Sequence, residues 1–188
     1  NPDKTDGKNF DEGAIKALHN VMDYASDDYK TEERIYVSAV NATPETAIHK
    51  MQQTKMQFRK TGGIVAFHAI QSFKPGEGTP KLAHEIGNRL AEEMWGDRFE
   101  VVVSTHLNTQ CIHNHFVLNS VSFKDGYKYY SNLENTALFR KTSNPLFSKI
   151  SMHWSVLPLI SFSPRTASFP WVTLMLFKIE TKRSSLKI

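Results

Sequence analysis

The stretch STHLNTQCIHNHFVLNSVSF, residues 104–123, places three histidines within ten residues: His106, His113 and His115. His106 ends one apolar segment and the other two begin the next, which indicates two β-strands joined by six residues. Side chains on a strand alternate between faces, so His113 and His115 point the same way, about 7 Å apart. Pairing of the two strands as a hairpin brings His106 opposite them. The stretch therefore predicts three imidazoles that converge on one face of a sheet.

Three neutral imidazoles at one point form a ligand set for a divalent metal ion. Because no fourth protein ligand is evident, coordination positions stay open, as in a catalytic rather than a structural metal site. Asn119 lies on the same face of its strand and is a candidate for a supporting or substrate contact. His68, in the predicted strand IVAFHAIQSF, is a second such candidate if its strand lies beside the histidine pair. Otherwise His68 is a hydrogen-bonded core histidine.

Charge gives no indication of a partner, although the net charge is +4. Residues 1–143 hold 17 Lys and Arg against 18 Asp and Glu, whereas residues 144–188 hold six against one. The basic character therefore belongs to the C-terminal segment. The single cysteine, Cys111, excludes an internal disulfide and fits a reducing compartment. No segment approaches the ~20 apolar residues of a membrane span, so no membrane insertion is expected.

Hydrophobic periodicity predicts an order of helix, strand, helix, strand, helix, strand, strand. The second helix is expected to begin at Thr43 and Pro44, and the third at Thr79, with Gly96 ending it. This order predicts an α+β fold in which helices pack on one face of a largely antiparallel sheet. The predicted segments are residues 10–26, 35–41, 43–60, 62–73, 79–95, 99–106 and 113–123.

The chain changes character after Ser143. Residues 144–188 carry four of the eight prolines and two of the three tryptophans, without a sustained helical or strand period. We expect residues 1–143 to form the domain and residues 144–188 to be a poorly ordered tail that adds no layer to the sheet. The segment WVTLMLF, residues 171–177, is either a buried strand or an apolar segment with nothing to pack on.

A metal site of this kind needs a nucleophile. Metal-bound water gives a hydrolase, and a tyrosine hydroxyl gives a covalent transferase. Tyr24, near the end of the first predicted helix, is the candidate tyrosine, with Tyr29 as the second, although a tyrosine there is commonly half-buried packing. A thiolate from Cys111 would favour zinc.

The segment FKDGYKYY, residues 123–130, interleaves lysines and tyrosines after the histidine strand. Lys124, Lys128 and Tyr127 suit a single-stranded nucleic-acid backbone and stacked bases. A solvated hairpin end explains the same pattern equally well.

Three segments, YVSAVNATPETA, FHAIQSFKPGEGTP and LAHEIGNRLAEEMWGDRFEVVVSTHLNTQCIHNHFVLNSVSF, resemble the relaxase/mobilization nucleases of conjugative plasmids and transposons, especially Gram-positive forms. The resemblance covers residues 1–143. It implies an HUH-type site in which His106, His113 and His115 hold a divalent ion, Mg²⁺ or Mn²⁺, on a DNA phosphate. A tyrosine then attacks, leaving a 5′-phosphotyrosyl bond and a free 3′-hydroxyl.

The same resemblance implies partners and a compartment. The expected substrate is single-stranded DNA at a transfer origin in the bacterial cytoplasm. Relaxosome accessory proteins and a coupling protein are the expected protein partners.

Departures from the family pattern leave alternatives open. Asn108 stands where relatives often carry Asp, and Cys111 where they often carry His, but neither change removes a ligand. Relatives have a strand, and often a tyrosine, just before an NPDKT-like stretch, so the N-terminal strand is expected to be missing. The nucleophile is then either Tyr24 or a tyrosine upstream of Asn1. A hydrolase that uses metal-bound water at the same histidines, and an inactive single-stranded nucleic-acid-binding remnant, are the alternative functions.

Overall fold

The computed structural model describes residues 12–26, 36–76, 78–107, 111–154 and 175–180, which form four helices and five strands. As far as the seventh element, their order is the one that the sequence predicts. In chain order the elements are α1 (Glu12–Ala25), β1 (Val37–Val40), α2 (Ala47–Gln57), β2 (Ile64–Ser72), α3 (Pro80–Trp95), β3 (Val101–His106), β4 (His113–Asn119), α4 (Leu133–Trp154) and β5 (Met175–Glu180).

The five strands form one antiparallel sheet in the order β1-β3-β4-β2-β5. β3 and β4 pair as the predicted hairpin, with His106 directly opposite His113. β2 pairs with the other side of β4 and places Ile70 opposite His115. The two histidine-bearing strands are therefore central to the sheet, and the predicted α+β fold with an antiparallel sheet is confirmed.

Helices cover both faces of the sheet, so the prediction of helices on one face was wrong. On the histidine face, α1 and α2 pack through residues such as Leu18 and Met51 against Val102 and Val117. On the opposite face, α3 and α4 contribute Ala83, Ile86, Leu90, Ala91, Phe139 and Leu146 to a second cluster with Phe67, Val101, Val103, Phe116 and Leu118. The reason lies in β3, where every residue is buried. A sheet that is apolar on both faces must be covered on both.

The start of α3 matches its sequence signal, whereas the start of α2 does not. The Thr79 hydroxyl caps α3 by accepting a hydrogen bond from the Leu82 amide at 3.3 Å. α2 begins at Ala47 because Thr43 and Thr46 close a turn ahead of it, with the Thr46 amide donating to the Thr43 carbonyl at 3.1 Å. The Thr-Pro signal at residues 43–44 therefore marks this turn, and not the first turn of the helix.

The chain beyond Ser143 contributes to two elements, which differs from the predicted domain boundary. α4 runs through that position to Trp154, and β5 pairs antiparallel with β2. An edge strand with unpaired backbone groups is a pairing site, and β5 satisfies the outer edge of β2. Trp171 lies outside the described residues, so the predicted poor packing of the tail stays a prediction. Within the described part of the chain, no helix has the length and apolar character needed to cross a bilayer.

Candidate metal centre

The three histidines meet at one end of the β3–β4 hairpin. One potential ligand atom from each of His106, His113 and His115 lies within 4.8 Å of the other two. Their ring centroids are 4.0–5.2 Å apart. His106 and His115 are buried, and His113 is half-buried at the mouth of the cluster. The convergence that the sequence predicts is confirmed.

Main-chain carbonyls orient two of the three rings. His106 donates from Nε2 to the Ala25 carbonyl at 2.8 Å, and His113 donates from Nδ1 to the Cys111 carbonyl at 3.0 Å. A carbonyl oxygen can only accept a hydrogen bond, so these contacts fix which ring nitrogen carries the proton. The other nitrogen of each ring then keeps the lone pair that a metal ion requires.

His68 supports the third ring. On β2 it lies diagonally across from His115, with its Nε2 2.7 Å from His115 Nδ1 and the two rings stacked at 4.9 Å. Burial, with a smaller contribution from the electrostatic interaction with His106, lowers the pKa of His68 to about 4. The neutral His68 ring is therefore placed to hold the orientation of His115 at neutral pH, although that role stays a prediction.

The residues fit a divalent metal ion. Three ligand atoms at about 2.1 Å from one ion lie about 3.0–3.6 Å apart, so the three imidazoles, whose ligand atoms now lie within 4.8 Å of one another, would move closer together to hold it. The donor set is three neutral imidazoles, which leaves the full positive charge of an ion available to an anionic ligand.

Tyr24 lies against this centre at the C-terminal end of α1. Its ring centroid is 5.6 Å from that of His115, 5.9 Å from that of His106 and 6.3 Å from that of His68, in edge-on contacts. The side chain is 51% exposed, so a substrate can reach it. The carbonyl of the next residue, Ala25, is the one that binds His106, which ties this end of α1 to the centre. Tyr29 lies outside the described residues.

Asn119 does not reach the histidines, which corrects its predicted role. Four residues separate it from His115 along β4, a distance of about 13 Å. Its side-chain amide is buried and donates to Glu100 at 2.7 Å, while its Oδ1 accepts from Lys55. Thr54 donates to the other oxygen of Glu100 at 2.5 Å. Asn119 therefore belongs to a buried polar cluster that joins α2 to the sheet.

Lys55 in this cluster makes stability depend on pH. Burial lowers the pKa of Lys55 from 10.5 to about 7, an effect that Glu100 partly opposes. Between those values the unfolded chain binds more protons than the folded chain, so the free energy of unfolding rises with pH. The cost of burying the charged lysine is fully present below about pH 7 and is relieved as the pH increases.

We expect the wild-type chain to gain about 1 kcal/mol of stability per pH unit from Lys55 between pH 7 and 9. Lys55→Met should lose this gain, and Lys50→Met, an exposed lysine on the same helix, should retain it. Urea unfolding at pH 7, 8 and 9 measures the difference. Parallel pH profiles for the wild type and Lys55→Met would show that Lys55 does not titrate on unfolding.

The predicted nucleic-acid contacts lie at the other end of the sheet. Val121 pairs with Lys128 six residues beyond His115, about 20 Å along the strand direction. Lys124 forms an exposed ion pair with Asp97, and the Lys128 ammonium donates to the Gly62 carbonyl at 2.9 Å. The Arg98 guanidinium lies 5.6 Å from the ring centroid of Tyr127, which is itself 57% exposed. The structure does not bring these residues to the metal centre, and their contact with nucleic acid stays a prediction.

Sequence reasoning assigned no role to Asn114, which lies between two of the histidines and points to the opposite face. Its amide donates to Gln71 at 2.9 Å and to the Ala83 carbonyl at 2.7 Å, and its Oδ1 accepts from Thr105 at 2.7 Å. A Cβ on Gly87 would lie 2.5 Å from the Asn114 amide, so α3 approaches this closely only through a glycine. These contacts hold the histidine-bearing part of β4 against α3 on the opposite face of the sheet. A polar residue on the same face as Phe116 and Leu118, which is otherwise apolar, was the available signal.

Comparison with known proteins agrees with this geometry. Residues 24–151 match a family model described as relaxase, MobA/VirD2-like, nuclease domain. The chain is 36% identical over 134 residues to a Staphylococcus aureus protein named rlx. The aligned region covers 71% of this chain and 40% of that protein. It is 32% identical over 133 residues to the group II intron-interrupted relaxase LtrB of Lactococcus lactis subsp. cremoris, covering 69% of this chain and 23% of LtrB.

The matched relatives are much longer than the shared region. The chain spans 40% or less of the lengths of these two proteins. No solved structure matches the chain.

Proposed function

The chain belongs to the MobA/VirD2-like relaxase family, and on that premise we propose that it nicks single-stranded DNA by forming a covalent bond to Tyr24. The observation that carries this proposal is the position of Tyr24. Its half-exposed ring contacts His106 and His115, two of the three potential metal ligands, as well as His68. A nucleophile must lie within reach of the phosphate that the site binds, and the contact of the Tyr24 ring with the imidazoles supports its assignment to that role.

The proposed step is a transesterification. The Tyr24 hydroxyl oxygen attacks the phosphorus of one phosphodiester, forming an O–P bond as the bond to the 3′-oxygen breaks. The phenolic proton passes to water, and the departing 3′-oxygen takes up a proton. The products are a 5′-phosphotyrosyl bond and a free 3′-hydroxyl. Because one phosphate ester replaces another, the reverse attack by a 3′-hydroxyl can rejoin the strand.

The remaining residues hold the reacting groups in position. A bound divalent ion, for which we propose Mg²⁺ or Mn²⁺, supplies Lewis-acid neutralisation of the phosphate oxygens. His106 is anchored by the Ala25 carbonyl, so the ring that faces the ion is tied to the residue that follows the nucleophile. His68 restrains His115 through the 2.7 Å contact between their ring nitrogens. Because the rings are already held in position, less free energy is needed to orient the reacting groups during the reaction.

The wider setting of the reaction is also a proposal. We propose single-stranded DNA at a transfer origin as the substrate, with relaxosome accessory proteins and a coupling protein as partners in the bacterial cytoplasm. The family match supports the nuclease assignment, and the similarity to the relaxase LtrB supports a role in mobilization. The turn that carries Lys124, Tyr127 and Lys128 offers a second contact for a strand that leaves the metal centre.

Covalent trapping tests this function. The chain is incubated with a labelled, sequence-randomised single-stranded DNA pool and Mn²⁺, then separated under denaturing conditions. We expect labelled protein that disappears when EDTA is added before the DNA. Trypsin releases residues 17–30, which contain both Tyr24 and Tyr29, so fragmentation mass spectrometry must place the nucleotide on Tyr24.

The two alternative functions give different results in the same assay. A hydrolase that uses metal-bound water would cleave the pool with turnover and leave no label on the protein. A binding remnant would retard the pool in a native gel without cleaving it. Either outcome overturns the proposed phosphotyrosyl mechanism for this chain.

A further inference from the structure

A shallow slot of about 410 Å³, largely open to solvent, lies beside the metal centre, between α1 and β2. Ala17, Asn20, Val21 and Tyr24 line it from α1, and His68 lines it from β2. The helical residues are three and four positions apart, so they form one stripe along α1. Tyr24 and His68 belong both to this slot and to the group of side chains around the metal centre. Whatever fills the slot therefore lies next to the reacting atoms.

The chemistry of the slot suits a nucleobase. Its described lining consists of aliphatic side chains, two aromatic rings and one amide, with no carboxylate and no lysine or arginine. A lining without such charges does not favour a phosphate, whereas a base has apolar faces and a polar edge. Asn20 is exposed and carries both hydrogen-bond donors and an acceptor, which match such an edge. Small-molecule sites commonly combine apolar walls with a few polar groups in this way.

We propose that this slot takes the base of a nucleotide next to the phosphate that Tyr24 attacks, and that Asn20 determines which base is preferred. The inference rests on the proposed function, because it is Tyr24 that places the phosphate beside the slot. A phosphate held between Tyr24 and His115 has one flanking nucleotide on the side of His68. The base of that nucleotide enters the slot, with its faces against Val21 and the Tyr24 ring and its edge towards Asn20.

The side-chain amide gives the slot a preference. Asparagine pairs through two hydrogen bonds with N6 and N7 of adenine, and one such pair discriminates against other bases by roughly tenfold or more. Adenine is therefore the expected base. Truncation of Asn20 removes the hydrogen bonds but leaves the apolar walls, so it should remove the preference more than the binding.

Selection of bound strands tests the slot without requiring cleavage. The full chain carrying Tyr24→Phe, which keeps the ring but cannot form the adduct, captures strands from a randomised single-stranded DNA pool in the presence of Mn²⁺. Sequencing of the bound strands should show one position enriched in one base by about tenfold. Asn20→Ala in the same background should reduce that enrichment to near unity and leave other enriched positions unchanged. His19→Ala, an exposed neighbour outside the slot, is the matched control and should keep the enrichment.

A second variant fills the slot instead of removing its amide. Val21→Phe should abolish the enrichment at the position that Asn20→Ala affects. The proposal is overturned if the parent pool shows no enriched position or if Asn20→Ala leaves the enrichment as in the parent. Enrichment that survives Val21→Phe overturns it as well. Failure of the proposed function appears separately, as the absence of a phosphotyrosyl adduct on the chain with Tyr24 intact.

Discussion

Tyr24→Phe is expected to abolish the covalent adduct between the chain and single-stranded DNA. The substitution removes one oxygen atom and keeps the ring that contacts His106 and His115, so the fold and the histidine cluster should be unchanged. Without its nucleophile the transesterification has no first step, and we expect adduct formation to fall by roughly 10³-fold or more. The amount of labelled protein after denaturing separation, at equal protein and Mn²⁺ concentrations, is the measurement.

Two tyrosine variants are controls for this result. Tyr127→Phe changes another exposed tyrosine, in the turn at the far end of the sheet, and should keep the adduct. Tyr29→Phe changes the second candidate and should also keep it. If Tyr24→Phe forms the adduct at the wild-type rate, Tyr24 is only a packing residue. If Tyr29→Phe abolishes the adduct, the nucleophile is Tyr29.

The histidine cluster could be predicted from sequence because its geometry is local. A strand period of two places His113 and His115 on one face, and a short connection makes a hairpin with the preceding strand. The register that results, with His106 opposite His113, is the one observed. No information about the rest of the chain was needed, which is why this part of the site was the most accessible to sequence reasoning.

The errors concern contacts between residues that are distant in sequence. Asn119 shares a face with the histidines, as expected, but its partners are Lys55 and Glu100, which come from α2 and from just before β3. Strand alternation shows which face a side chain lies on, but not which helix packs against that part of the strand. The two-sided covering of the sheet was missed for a similar reason. The run VVVSTH places Val102 on one face and Val101 and Val103 on the other, so it already indicates apolar contacts on both faces of the sheet.

The position of the Lys124–Lys128 turn shows the same limit. The lysine and tyrosine pattern favours a nucleic-acid contact, but pattern alone does not show that Lys124 forms an ion pair with Asp97. An exposed ion pair of this kind contributes little to stability, and it also offsets the positive charge that would attract a phosphate. Lys128 donates to a backbone carbonyl instead, so it is the stronger candidate of the two lysines.

Removal of any one of the three convergent imidazoles is expected to produce the second large effect, a loss of metal binding. His106→Ala, His113→Ala and His115→Ala each leave two imidazoles, too few to hold the ion tightly at an open site. Loss of a supporting partner typically weakens metal binding by about 10–100-fold, so loss of a ligand should exceed that range. Titration with Mn²⁺, followed by the electron paramagnetic resonance signal of the unbound ion, measures the affinity without any need for DNA.

Graded variants separate a metal centre from a buried histidine cluster that only packs. His68→Ala should weaken Mn²⁺ binding by about 10–100-fold, less than the three ligand variants, because it acts through the orientation of His115. His49→Ala, an exposed histidine on α2, should bind Mn²⁺ like the wild type. If the histidines only pack, the variants should change stability and not Mn²⁺ binding. Truncation of the buried His106 or His115 would lower the melting temperature, but Mn²⁺ would fail to raise it in the wild type. A metal centre predicts instead that Mn²⁺ raises the melting temperature of the wild type. This increase should be lost in all three ligand variants and reduced in His68→Ala, because the imidazoles bind the ion together.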